Sequence, residues 1–128
     1  MKKLFTLVLI FFIGFLSFSQ NKKAVITFDK TVIDYGTIDK GANGVRDFVF
    51  TNTGDAPLII SNVKSTCGCT IPKKPEKPIL PGESDKIQVK YDTKRVGFIR
   101  KSISVTSNAS NPNVILKITG QVIADNNK

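Results

Sequence analysis

The residues whose type and spacing could do chemistry are Cys67 and Cys69, the only two cysteines of the 128-residue chain, separated by Gly68 and followed by Thr70. In an extended backbone, side chains two positions apart project to one face, so the two thiols act as a unit. Fully extended, their Cα atoms would stand roughly 6.6 to 7.2 Å apart, at or beyond the upper limit of a disulfide. A bond between them therefore needs a local bend, and Gly68 is suited to it because glycine reaches φ values closed to other residues. Such a bond closes about three residues and contributes only about 1.6 kcal/mol in the chain-entropy relation, against nearly 5 for a loop of about 100. Thiol redox chemistry or crosslinking to a partner is then a better use of it than stapling.

Two other uses of the pair stay open. Two same-side thiolates suit a soft ion such as Cu(I), which makes Cys67 and Cys69 metal candidates, but a closed tetrahedral site needs four ligands. With no His, no third Cys and Met1 as the sole methionine, the remaining soft ligands would have to come from outside the chain. The plainer use is structural: free cysteines are among the most buried residue types, and two small apolar side chains pack well at a strand end. Lys64, Lys73 and Lys74 flank the pair in sequence and would lower a thiol pKa if they were close in space.

The absence of His also removes Ser-His-Asp triads and His general bases from this chain. Asp and Glu show no spacing that singles out an acid–base pair, so no catalytic residue and no cofactor site is expected. Lys+Arg number 19 against Asp+Glu 10, with the basic residues, mostly Lys, scattered through the sequence. That is a solubilising pattern; nucleic-acid recognition would want an Arg-rich stripe or exposed stacking aromatics, and nucleic acid is not expected as a partner. Asn108-Ala109-Ser110 matches a glycosylation sequon, a short pattern common by chance.

The chain opens as an export signal does. Lys2 and Lys3 precede a mostly apolar run from Leu4 to Phe18, and Ser17-Phe18-Ser19 supplies small residues for cleavage between Ser19 and Gln20. The run falls short of the about 20 residues that a spanning helix needs, and no second apolar run follows. The expected domains are a signal peptide at 1–19 and a single module at 20–128, with no transmembrane segment after signal removal. Losing Lys2 and Lys3 leaves a mature net charge of +7, and the expected location is secreted or periplasmic, where disulfides persist.

The elements that must position the cysteines read as strands. Short β-branched and aromatic runs recur every eight to twelve residues, separated by Gly, Asn, Asp and Pro. About seven strands are predicted: 24–28, 31–33, 45–51, 58–64, 86–91, 99–106 and 114–123. Alternation assigns eleven side chains to the core: Phe48, Phe50, Ile87, Val89, Tyr91, Ile103, Val105, Val114, Leu116, Ile118 and Val122. No sustained 3.6-residue apolar period follows the signal, so the class is all-β, a sandwich. Asn52-Thr53-Gly54-Asp55 reads as a turn whose Gly tolerates positive φ, and Leu80-Pro81-Gly82-Glu83 as a type II turn. Pro72, Pro75 and Pro78 forbid a central strand in their segment and favour a solvated connection.

Three stretches together carry a resemblance: Phe50-Thr51-Asn52-Thr53-Gly54-Asp55-Ala56-Pro57-Leu58, then Ser65-Thr66-Cys67-Gly68-Cys69-Thr70, then Pro78-Ile79-Leu80-Pro81-Gly82-Glu83. They resemble the bacterial family called domain of unknown function 1573. Gly97-Phe98, Ser107-Asn108 and Leu116-Lys117-Ile118-Thr119-Gly120 extend the likeness to about 26–123. The resemblance implies an immunoglobulin-like sandwich akin to Hydin and major-sperm-protein domains, and no settled activity. The functional expectation is a non-enzymatic binding or structural module with a protein or envelope partner, its alternative a thiol-redox or copper-handling protein.

Overall fold

A computed structural model describes residues 22–124, so the expected signal and the Ser19–Gln20 cleavage point lie outside the described residues. Eight strands form: β1 (Ile26–Phe28), β2 (Val32–Asp39), β3 (Val45–Asn52), β4 (Ile60–Ser65), β5 (Thr70–Lys73), β6 (Ser84–Tyr91), β7 (Gly97–Ser107) and β8 (Asn113–Ile123). They make two four-stranded sheets, ordered β1-β3-β6-β5 and β2-β8-β7-β4. Every pairing is antiparallel except that of β2 with β8, which is parallel. The all-β sandwich expected from alternation is the architecture observed.

Period-two patterning sets the two inner faces. Phe48 and Phe50 of β3 and Ile87, Val89 and Tyr91 of β6 turn inward against Ile99, Ile103 and Val105 of β7 and Leu116, Ile118 and Val122 of β8, all buried. Val114, expected in the core, is only partly buried and packs on its margin. Leu58 and Ile60, buried on either side of exposed Ile59, and Ile79 also join the core; an isolated bridge pairs Leu58 with Ile79.

The strand beyond the seven predicted is β5, which overlaps the start of the proline segment, residues 72–78, read as a connection. Cys69 accepts a hydrogen bond from the Asp92 N–H at 2.8 Å, and the register then turns the main-chain groups of Ile71 and Lys73 toward β6. Pro72, which has no N–H to donate, falls on the open side. It is an edge strand, as the prolines require. In the other sheet, the edge strand β2 runs well past its predicted end, with a register shift between Asp34 and Thr37 around Gly36.

The end of the sandwich remote from the cysteines is held by amides. Asn52 is fully buried, and its Oδ1 accepts from the N–H groups of Val25 (3.3 Å) and Gly54 (3.0 Å). Its Nδ2 donates to the carbonyls of Ala56 (2.7 Å) and Ile79 (2.9 Å). Gly54 does not take positive φ; a Cβ there would collide with the Lys23 carbonyl oxygen and the Val25 nitrogen, so close approach is what requires glycine. The Leu80–Glu83 turn forms as read, with Gly82 at φ 83° and the Glu83 N–H donating to the Leu80 carbonyl at 2.9 Å.

Replacing Asn52 by Ala leaves the Val25 and Gly54 N–H groups and the Ala56 carbonyl without that partner and removes one of the two bonds to the Ile79 carbonyl, which keeps the Leu58 N–H. At about 1 kcal/mol for each lost bond, Asn52→Ala is expected to cost roughly 3 kcal/mol or more in urea unfolding. A conservative exposed change at the same end, Thr27→Ser, is expected to stay within about 0.5 kcal/mol.

Candidate functional site

Four parts of the chain meet at the other end: the β2–β3 connection (residues 40–44), the β4–β5 connection (66–69), the β6–β7 connection (92–96) and the last residue of β8. The Gly41 N–H donates to the Thr93 carbonyl at 3.2 Å, the Lys40 N–H to that of Ile123 at 2.9 Å, and the Thr93 hydroxyl to the Ala42 carbonyl at 2.6 Å. Between three of these connections lies an open groove of about 440 Å³, lined among others by Gly44, Gly68, Cys69, Ile71, Lys90 and Lys94.

Cys69, which lines this groove, forms a disulfide with Cys67, their Cα atoms 5.4 Å apart, well below the extended separation. The bend that achieves this belongs to the loop, not to a special glycine conformation. Gly68 does not take positive φ, and a Cβ on it would meet nothing within 4 Å. Hydrogen bonds hold the loop: Ser65 Oγ donates to the Cys67 carbonyl at 3.0 Å, and the Thr66 N–H to that of Ser102 at 3.2 Å. The two sulfur residues differ in exposure: Cys69 is 2% exposed and Cys67 half-buried. The Cys69 N–H lies 3.2 Å from Cys67 Sγ, and Cys69 Sγ 3.7 Å from Thr70 Oγ1.

The lysines that accompany the pair are not those adjacent in sequence. Lys90 and Lys94 line the groove with Cys69, whereas Lys73, Lys74 and Lys86 border a separate hollow along the outer face of the first sheet. Among the described residues no third Cys, His, Asp or Glu gathers with the pair, and sulfurs bonded to each other offer no thiolate to a metal. Beneath the groove, the Tyr35 hydroxyl donates to the Gly44 carbonyl at 2.7 Å, and the Arg46 guanidinium lies 4.2 Å from the Tyr35 ring centre. Burial pushes the Tyr35 phenol above its ordinary pKa, opposed by Arg46 and assisted by Tyr91.

Two surface features escape sequence reasoning. Ile71 is 64% exposed because β5 is an edge strand whose odd positions face outward, beside Lys90 of β6. Phe98 is 67% exposed on β7, with the Arg100 guanidinium 5.4 Å from its ring centre. The sole sequence signal for Phe98 was its place one residue ahead of the inward-facing Ile99. The sequon is occupied structurally: Asn108 Nδ2 donates to the Pro57 carbonyl at 3.0 Å and its Oδ1 accepts from the Ile59 N–H at 2.7 Å.

Since the disulfide links two residues of one hydrogen-bonded loop, its loss is expected to be mild. The double variant Cys67→Ser, Cys69→Ser should keep its far-ultraviolet circular dichroism and lose only about 1 to 2 kcal/mol in urea unfolding. A loss above about 4 kcal/mol would make the bond a staple of the fold.

The fold recurs in solved structures at low identity. A protein of unknown function from Porphyromonas gingivalis W83 matches with a TM-score of 0.70 at 19% identity, over 84% of this chain and 51% of that one. This chain thus spans about half the length of that relative. The seventh PapD-like domain of human CEP192 matches with a TM-score of 0.67 at 10% identity, over 85% of this chain and 92% of that one. The periplasmic chaperone SfaE matches with a TM-score of 0.51 at 10% identity, over 78% and 58% respectively. No curated protein matches the sequence. Residues 26–122, from the start of β1 to the penultimate residue of β8, match the family described as protein of unknown function (DUF1573), and the chain belongs to that family.

Proposed function

We propose that the protein is an exported, non-enzymatic binding module that holds an extended acidic protein segment at the disulfide end of the sandwich. The observation that carries this reading is the groove built from three separate connections, with Ile71 exposed on its rim and Lys90 and Lys94 lining it. An apolar anchor beside unpaired cations suits a segment with an apolar residue among carboxylates. Among the described residues, Lys90 and Lys94 have no carboxylate within salt-bridge distance; the ion pairs present are Lys86–Asp47 and Arg95–Asp92.

Strand addition is a poorer route to a partner. On the open side of β5, Pro72 lacks the N–H that a docking strand would need. Sandwich domains commonly bind through loops clustered at one end, and loop sites tolerate the variety of sequence that binding demands. The amino-terminal run of Leu4 to Phe18 after Lys2 and Lys3 supports secretion or delivery to a periplasm, with the mature chain beginning at Gln20.

The test places a photoreactive amino acid at position 71, or at position 110 at the opposite end, in the full-length protein expressed in its own host. The expected result is one discrete adduct from position 71, weakened by Lys90→Glu, on protein whose intact mass begins at Gln20. Equal adducts from both ends, or a chain retaining residues 1–19 in the cytoplasm, would overturn the reading.

A further inference from the structure

Beyond partner binding, we infer that the Cys67–Cys69 disulfide is a site of thiol–disulfide exchange at which an external thiolate attacks Cys67. The bond does little for the fold: it spans a sequence separation of 2 and joins no two strands across the sandwich, unlike the inter-sheet bridge of antibody domains. What surrounds it suits exchange. Cys69 is buried while Cys67 is half-buried, so the two sulfur residues offer an attacker unequal access. The chain between them is bare, since nothing lies within 4 Å of a Cβ on Gly68.

The loop is also held by bonds that do not involve sulfur. The Thr66 N–H donates to Ser102, the Asp92 N–H to Cys69 and Ser65 Oγ to Cys67, so the two thiols stay side by side after reduction and the bond can re-form. Lys90 and Lys94, lining the same groove as Cys69 and Gly68, raise the local concentration of an anionic attacker.

In the first step the thiolate forms a new S–S bond to Cys67 Sγ. The Sγ–Sγ bond breaks, and its electron pair leaves on Cys69 Sγ beside the Thr70 hydroxyl. In the second, another thiolate attacks the outer sulfur of the mixed disulfide, and Cys67 Sγ departs with its pair, accepting the Cys69 N–H. Two thiols become one external disulfide, the protein gains two electrons, and the two thiol protons end on Cys67 and Cys69. The attacker is a thiolate, of a small molecule or of a cysteine in an exported chain.

The test uses the purified oxidised protein without denaturant, with 2-mercaptoethanesulfonate as the anionic small thiol, cysteamine as its cationic counterpart, and an unstructured acidic peptide bearing one cysteine. Reactions are quenched with acid, alkylated and fragmented by mass spectrometry. The expected adduct sits on Cys67 with Cys69 alkylated, forms severalfold faster with the anionic than with the cationic thiol at equal thiolate concentration and low salt, and forms at a rate unchanged by low urea. A faster peptide reaction assigns a protein thiol, and a faster sulfonate reaction a small one. In single variants, the thiol left in Cys69→Ser should alkylate at least about a hundredfold faster than that in Cys67→Ser. An adduct on Cys69, no reaction with any of the three thiols, or reduction that tracks global unfolding would overturn the inference. Because no partner is present, failure here leaves the binding-module reading standing, and failure of crosslinking leaves this one.

Discussion

The buried amide of Asn52 is the interaction on which one end of the sandwich depends. Sheet ladders satisfy backbone groups only while strands run side by side, and β3 ends where three other segments converge on it. These are the approach to β1, the turn after Asn52, and the strip where Leu58 and Ile79 bridge. Each arrives with a donor or acceptor that no strand meets. One side chain with two lone pairs and two protons supplies all four, where an apolar residue of the same volume would leave three of them unpaired and the Ile79 carbonyl with the Leu58 N–H alone. Asn111 repeats the device, accepting from the Ile26 N–H at 3.3 Å and donating to its carbonyl at 2.9 Å, and so pins the short β1.

This accounts for a motif that reads as a plain turn in the sequence. Thr53 donates its N–H to the Val25 carbonyl, Gly54 lets the amino-terminal segment pass without collision, and Asp55 Oδ1 accepts the Lys23 N–H at 2.7 Å. The four residues Asn52 to Asp55 form a clamp for residues 23–27. Periodicity made the sheet strands legible because β3, β6, β7 and β8 each bury one face. It could not reveal the clamp, because a buried Asn reads as a turn residue until its partners, distant in sequence, are known. β5 was hidden for a related reason: Pro72 argues against a strand, yet is harmless on an edge. Leu58 and Ile79 meet in a single bridge, too short to show a period, and Tyr35 lies next to the Gly36 irregularity that breaks the pattern of β2. The cysteine pair was legible as a unit, but its groove was not, since residues 40–44 and 92–96 approach it only through the fold.

The two ends therefore differ in kind. One is closed by amides that reach across sequence distances of dozens of residues. The other is made of connections that touch each other by a few backbone bonds and leave a groove between them. The four edges are each short or irregular: β1 has three residues, β5 is short and presents Pro72, β2 is interrupted at Gly36, and β4 shifts register between Ile60 and Asn62. With its edges blunted and one end locked, the sandwich leaves its loop end as the open groove.

The position of the disulfide follows the same division. A bridge meant to hold two sheets together would be sited across the core, where Phe48, Phe50, Ile103 and Leu116 already exclude water. This one lies within the β4–β5 connection, where the backbone is tethered by Ser102, Asp92 and Ser65 independently of the sulfurs. Cohesion of the sheets and the oxidation state of the pair are thus physically separate. Reduction changes the chemistry at the margin of the core, where Cys69 is buried and Cys67 packs against it, and leaves the amide-locked end untouched, which is a condition a reversible thiol site has to meet.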